Sequence, residues 1–315
     1  MPEPRLLIDL PLAAGAEIAL DEAQARHVGT VLRLDVGDAL RPFNGRDGEW
    51  RARVSAKSKR GMSMVVEALL REARATPDLD LLFAPVKRHA TDLIVEKATE
   101  LGVRRLRPVI TQRTIAETVR VDRLEAIARE AAEQTGRFDA PEILAPVSLA
   151  RALDGWDASR PLIYADESGD EDGAAWGGER GRAPPIGEAL SSTFSLAEKV
   201  AAKRPDEGRS DMQAPARLNA PHPPTPSPQG RGGALALLIG PEGGFTPDER
   251  RMLRAAPFVV PVSLGPRILR AETAVIAALS VIQSVWGDWR GAQMLADVAC
   301  RLHIPAKSPR EEELG

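Results

Sequence analysis

Cysteine is almost absent. The chain of 315 residues carries one, Cys300, close to its C-terminus. That excludes a disulfide framework and a cysteine-based metal cluster. Histidine is scarce as well, and His27, His89, His222 and His303 lie too far apart in sequence to make a metal-binding motif. No metal is therefore expected. No apolar run approaches the ~18 residues that a membrane-spanning helix needs. The N-terminal MPEPRLLIDLPLAAG has no basic stretch leading into a long apolar one, which argues against a secretory signal and makes the cytoplasm the expected location. An excess of one charge is also missing: Lys+Arg 42 against Asp+Glu 45 gives a net charge of −3. A global polycation is excluded, whereas a local basic face is not.

What is present is an ordinary globular composition, 43% hydrophobic and 28% charged. The length suits two domains of ~100–200 residues each. One stretch departs from that pattern. Residues 169–233 hold 10 Gly and 9 Pro in 65 positions and only 6 Leu, Ile, Val or Phe, a composition that reads as disordered.

Residues 1–75 read as a small β-barrel with one helix. Ala39–Phe43, Glu49–Ser55 and Ser63–Leu69 are short strands punctuated by Asn44-Gly45, Asp47-Gly48 and Gly61. The helix runs from Asp21, a candidate N-cap, to Leu32. Arg46, Arg51, Arg53, Lys57, Lys59 and Arg60 cluster on this domain, as an RNA-contacting face or simply a solvated one. Ala73–Asp80 is the expected linker.

From residue 76 to 290 the pattern alternates strand with helix, as a parallel sheet requires. The strands are Leu79–Ala84, Leu106–Ile110, Leu162–Ala165, Ala234–Ile239 and Phe258–Leu264. The helices are Thr91–Leu101, ended by Gly102; one capped by Asp122; one starting at Pro247 with Thr246 as N-cap and Glu249 completing a capping box; and Ala271–Trp286. The last is apolar on more than one face and should be buried, in part against a partner subunit.

Four constellations stand out. Gly240-Pro241-Glu242-Gly243-Gly244 directly follows a buried strand, where open α/β sheets bind ligands and glycine lets a ligand approach the backbone. It has neither GxGxxG nor P-loop spacing. By itself it is also what a plain turn looks like. Leu264-Gly265-Pro266-Arg267-Ile268-Leu269-Arg270-Ala271-Glu272-Thr273 again joins a strand to a helix, and two such loops favour a shared pocket. Glu130, Glu133, Gln134 and Arg137 share one side of a helix, which equally describes a solvated face. Pro85-Val86-Lys87-Arg88-His89 is a basic loop at a strand end, able to grip phosphate or to stay solvated.

Together these segments resemble the 16S rRNA (uracil-N3)-methyltransferase family of the SPOUT class. LLIGPEGGFTPDE (237–249) and LGPRILRAETAVIAAL (264–279) look like its paired signatures. EKATELGV (96–103) and EAAEQTGR (130–137) resemble its intermediate motifs, and HVGTVLRLDVGDAL (27–40) resembles the motif of its PUA-like RNA-binding domain. The resemblance implies a parallel α/β sheet with a C-terminal trefoil knot, a rare exception to ordinary chain topology. It implies a homodimer, with the 274–286 helix at the subunit interface. It also implies S-adenosyl-L-methionine bound within the knot's loops. Ile239, Gly240, Pro241, Glu242 and Gly243 would line the cofactor from one loop, and Leu264, Gly265, Ile268, Leu269, Arg270 and Thr273 from the other.

The implied substrate is a uridine of 16S rRNA in the small ribosomal subunit. Uracil N3 becomes nucleophilic only when its imide proton leaves, so charge on O2 and O4 must be stabilised. Arg270 is the candidate for that role or for holding the adjacent phosphate. Gln134 suits the uracil edge, and Glu272, Glu242 or water is the base. Arg26, His27, Arg33, Lys87, Arg88 and Arg137 are the expected RNA contacts. The rivals are a SPOUT enzyme with another RNA target and an RNA-binding protein impaired by its insert. That insert, 191–233, departs from the family's short loop and is expected to be a tolerated surface segment. APPIGEAL (183–190) retains the family's short helix, and 291–315 is expected to be a flexible tail.

Overall fold

The computed structural model describes residues 3–58, 61–115, 118–166, 183–192 and 233–289. The insert beyond Ser192 up to Gly232, the tail from 290 onward, and Lys59 and Arg60 lie outside the described residues.

The first sheet has five strands in the order β1-β3-β4-β5-β2. They are β1 (Arg5–Leu7), β2 (Glu17–Ala19), β3 (Ala39–Asn44), β4 (Gly48–Ser58) and β5 (Gly61–Arg71). β1 runs parallel to β3, and the other pairs are antiparallel. The expected barrel thus takes the form of a mixed sheet with β1 and β2 at its two edges. Alternate residues of β4 and β5 (Ala52, Val54, Met62, Met64, Val66) point into one core with Leu6, Ile8, Ile18, Val28 and Leu40. The predicted helix begins as α1 (Glu22–Arg26), with Asp21 and Gln24 forming a reciprocal capping box. It then widens into a π-helical turn, His27–Val31.

The second sheet is parallel throughout, ordered β12-β10-β11-β6-β7-β8 with β9 also on β7. Its strands are β6 (Leu79–Phe83), β7 (Arg105–Ile110), β8 (Glu142–Ile143), β9 (Val147–Ser148), β10 (Leu162–Ala165), β11 (Leu235–Ile239) and β12 (Val259–Val262). Every residue of β6 and β11 is buried, as expected of strands covered on both faces. On one face pack α2 (Arg88–Glu100), α3 (Val121–Thr135), the short α5 (186–192) and α7 (Ala271–Val285). On the other lie α4 (Leu149–Leu153) and α6 (Pro247–Ala255). The alternation of β11 divides accordingly: Leu235, Leu237 and Ile239 face the α7 side, and Ala236 and Leu238 the α6 side.

After β12, which pairs with β10, the chain returns so that α7 packs against β11 and α2. Buried Gln283 fixes that return. Its Nε2 donates to Leu101 O at 2.5 Å, capping α2. A Cβ on Gly102 (φ +77) would lie 2.7 Å from that nitrogen, so glycine here serves both the left-handed cap and the helix contact.

Two expectations are adjusted. Asp122 does not cap α3: the N-cap position is Arg120, and Asp122 lies in the first turn, bonded to the Arg120 guanidinium. The linker stretch ends earlier than Asp80, because β6 begins at Leu79, where its strand was expected to start.

Candidate active site

The two Gly/Pro loops meet. A cleft opens at the carboxyl ends of β10, β11 and β12. From the first loop it is lined by Ile239, Gly240, Pro241, Glu242, Gly244 and Phe245, and from the second by Leu264, Gly265, Arg267, Ile268 and Leu269. Ala271 and Ala274 of α7 close one side. Eight of the residues expected to line a cofactor are therefore brought together: Ile239, Gly240, Pro241, Glu242, Leu264, Gly265, Ile268 and Leu269.

Local chemistry explains the loop shape. The capping box of Thr246 and Glu249 starts α6, and buried Glu249 also accepts from Gln112 N at 2.8 Å. Arg113 Nη1 donates to Gly243 O at 2.8 Å. Residues 112–113 after β7 thus brace the first loop from outside, which its sequence did not signal. Gly240 has no room for a side chain, because a Cβ there would lie 2.5 Å from the Phe245 ring. Phe245 in turn meets Tyr164 edge-on at 5.2 Å.

Three expected cofactor residues stand outside the lining. Gly243 is exposed and gives its carbonyl to Arg113, and Thr273 is exposed on α7. Arg270 is the N-cap residue of α7, exposed at the rim between two lining residues, Leu269 and Ala271, with no side-chain capping bond. Glu272, in the first turn of α7, is half-buried, and its Oε2 is sealed from solvent without a hydrogen-bond partner.

A third wall went unread in the sequence. Tyr164 and Asp166 at the end of β10, and Arg250 of α6, also line the cleft. Arg254 forks onto Asp166 Oδ2 at 2.6 and 2.9 Å, and Arg250 lies 3.7 Å from Oδ1. Burial, and then the Asp166 carboxylate, push the Tyr164 phenol far above its ordinary value, so it stays a neutral hydroxyl. The available signal was modest: an acidic residue two positions after a buried strand residue, and arginines at i, i+4 on a helix.

A profile described as RNA methyltransferase domain matches residues 74–184 and 200–283. The chain belongs to that family. A second profile, RNA methyltransferase PUA domain, matches residues 20–66. The ribosomal RNA small subunit methyltransferase E of Rickettsia conorii is 28% identical over 280 residues, 89% of this chain and 94% of its own. That of Synechocystis is 27% identical over 283 residues, 89% and 77% respectively. A crystal structure of the Neisseria gonorrhoeae enzyme of that name, bound to S-adenosyl methionine, superposes with a TM-score of 0.67 at 25% identity, covering 91% of this chain and 100% of that one.

In this RNA methyltransferase the expected RNA contacts divide. Arg26 and Arg33 are exposed and His27 is half-buried at the start of the π turn. Arg33 is the sole non-glycine residue with positive φ among the described ones, at 59°. Lys87 and Arg88 are exposed where β6 gives way to α2. Gln134 is exposed and bonded to Glu130. Arg137 is corrected. Its guanidinium is only 10% exposed, pairs with Asp139, and donates to Thr99 O and Val103 O. Four of its five N–H groups are engaged within the fold, which makes it a structural residue rather than an RNA contact. In the described part of the basic strand face, Arg51 pairs with Glu3, Arg53 with Glu67, and Lys57 caps Leu34 O.

EAAEQTGR proves to be the joint between the sheets. Arg5 of β1 donates to Ala132 O, Glu133 O and Arg137 O at 2.8, 3.1 and 2.6 Å, and Arg71 of β5 to Gly136 O at 3.1 Å. These are carbonyls left unpaired at the end of α3, met by cations of the favourable sign. Glu133 Oε1 accepts from Leu7 N at 3.0 Å. Burial pushes its carboxyl above the ordinary value, against that bond and the charges of His27, Arg129 and Arg5. A raised carboxyl contributes stability in acid that is lost as pH rises through its folded-state value. Glu133→Gln keeps an acceptor for Leu7. It is expected to melt at or above the wild-type temperature at about pH 7, with the two midpoints converging near pH 4. Melting below wild type at neutral pH would show that the charge itself is needed.

Among the described residues, no helix is long and apolar enough to cross a membrane, and no group of His, Cys, Asp and Glu is arranged to hold a metal ion.

Proposed function

We propose that this protein transfers a methyl group from S-adenosyl-L-methionine to N3 of a uridine in 16S rRNA, acting in the cytoplasm on the small ribosomal subunit. Residues 1–75 hold the RNA, residues 76–290 carry the chemistry, and the enzyme works as a homodimer through the 274–286 helix, whose Ile276 is exposed. The observation that carries this reading is the cleft itself. Two glycine-rich strand-end loops and the start of α7 enclose one cleft with an apolar side, and an arginine without a side-chain capping bond stands at its rim.

The cleft suits the cofactor. Ile239, Leu264, Leu269, Ala271 and Ala274 offer apolar surface for an adenine, and the glycine-rich turns offer backbone N–H and C=O groups for its edges. The cofactor supplies an electrophilic methyl group on a sulfonium. The chain's own residues do the rest. Arg270 stabilises the negative charge that develops on O2 and O4 as N3 loses its proton. Glu242, exposed on the cleft wall, or Glu272 takes that proton, or passes it to water. Arg26, His27, Arg33, Lys87 and Arg88 hold phosphates and Gln134 the base edge. Lys87 and Arg88 sit at the start of α2, where positive charge opposes the helix dipole; phosphate would relieve that cost.

Purified protein with radiolabelled cofactor should label small subunits that lack the modification, and mass spectrometry should place the mark on uridine N3. Label on transfer RNA would redirect the reading to another target. Cofactor binding without transfer to any RNA would make it a binding protein. Gly240→Ala gives a sharper check of the cleft. The added methyl must displace the Phe245 ring, an overpacking that costs about 1–3 kcal/mol. S-adenosylhomocysteine binding is expected to weaken by about tenfold, with the protein still folded. Unchanged affinity would mean that the ligand does not touch this loop.

A further inference from the structure

The cleft has two unlike sides, because it straddles the edge of the sheet. On the α7 side its surface is apolar: Ile239, Leu264 and Leu269 belong to the core under α7, joined by Ala271 and Ala274. On the α6 side it is ionic. Tyr164 belongs to the α6-side core, and Asp166, two residues on, points the same way and receives Arg254 and Arg250. Both signs of charge therefore meet on one side of a single cleft.

Glu242 and Arg267 also line the cleft, but both are exposed to solvent. The Arg250 side chain is 14% exposed and that of Asp166 only 1%. Enclosed charges keep their strength, whereas exposed ones are screened. Arg250 and Arg254 stand one turn apart on α6 and converge on the same carboxylate, which holds two like charges in place against their repulsion. Asp166 is thus placed to aim Arg250 at the cleft.

We infer that Arg250, positioned by Asp166, is the residue that recognises the α-amino-acid end of the methyl donor, its guanidinium meeting the α-carboxylate, while the α7 side takes the adenosine. The inference rests on the proposed cofactor. Arg250 is a specificity residue, and Asp166 and Arg254 act through it.

The test compares two ligands by calorimetry on the full chain. S-adenosylhomocysteine carries the amino-acid end. Methylthioadenosine has the same adenosine and sulfur without it. Wild type should bind the first more tightly, by about tenfold to a hundredfold, the worth of a charge-assisted hydrogen bond. Arg250→Met should lose about that factor for S-adenosylhomocysteine and change methylthioadenosine binding by less than about twofold. Arg250→Lys keeps the charge without the fork and should lose a smaller part, again on one ligand only; it also serves if the Met variant fails to fold. Asp166→Asn should narrow the same ratio. Arg267→Ala should not. Equal loss on both ligands, no loss, or a selective loss in Arg267→Ala would overturn the assignment. If wild type binds neither ligand, it is the cofactor reading that fails, and the Arg250 assignment falls with it.

Discussion

Arg270→Ala is expected to lower methyl transfer by about a hundredfold or more while leaving the melting temperature nearly unchanged. The magnitude is that of removing one donor aimed at developing negative charge. The second half of the prediction comes from the structure. Arg270 holds the N-cap position of α7, but its side chain makes no capping bond and is exposed. Alanine there removes nothing that α7 uses, so the stability change should stay within about 0.5 kcal/mol. Arg270→Lys should recover part of the rate, because charge returns without the planar fork. Rate on small subunits and a thermal melt of the same preparations decide it. A parallel loss of both would make Arg270 a structural residue and move the charge-stabilising role elsewhere on the rim.

The cleft was largely legible because its parts are consecutive. Each loop lies between an apolar strand and a helix, and such strand ends are where a parallel sheet leaves room for a ligand. What stayed hidden was every contact made between distant segments. Gln112 and Arg113 brace the first loop across more than a hundred residues. Tyr164, Asp166 and Arg250 come from two elements that periodicity places on the same face of the sheet without saying that they touch. Arg137 shows the converse failure. Its position at i+7 from Glu130 suggests a shared exposed face, but the helix ends at Thr135 and Gly136 turns left-handed at φ 81°. The chain therefore swings Arg137 back under α2, where carbonyls of residues 99 and 103 claim it.

The fold was read with similar unevenness. A strand buried on both faces, such as Leu235–Ile239, announces itself by an unbroken apolar run. So do helices with a full capping box, as at Thr246. The short strands β1, β2, β8 and β9 have two or three residues each and carry no periodic signal. The π turn after α1 was equally invisible, since a single widened turn leaves the i, i+4 pattern of Ala23 and His27 intact. The buried Asp80 in β6 is another case. It interrupts an apolar run and is tolerated because Arg105 and Arg107 reach it from the neighbouring strand at 2.6 and 2.8 Å.

Glu49→Gln should be the most destabilising of the substitutions considered, because it strikes the joint between the two sheets at its hidden centre. Glu49 is 1% exposed. Arg5 reaches its Oε2 at 3.1 Å, Arg41 lies 3.6 Å from Oε1, and Arg71 donates to Oε2. Arg5 also lies over the Phe43 ring and Arg71 over Phe138. The same two arginines carry the bonds to the α3 carbonyls. Removing the carboxylate charge they share leaves buried cations against a neutral amide, which should cost about 3 kcal/mol or more. The acid dependence fixes the sign. Burial alone would raise the Glu49 carboxyl, but Arg71 and Arg5 outweigh it and hold it below its ordinary value. Its contribution is then complete above the ordinary carboxylate range and disappears as pH falls through its lower, folded-state value. Urea denaturation should show the full gap between wild type and Glu49→Gln at about pH 7, closing progressively below about pH 4.5. S-adenosylhomocysteine affinity should stay within about twofold, since the cleft shares no partner with this hub, while KM for RNA rises as the two sheets lose their fixed relation. A gap below about 1 kcal/mol at neutral pH, or one that widens in acid, would mean that the three arginines hold the joint without their common carboxylate.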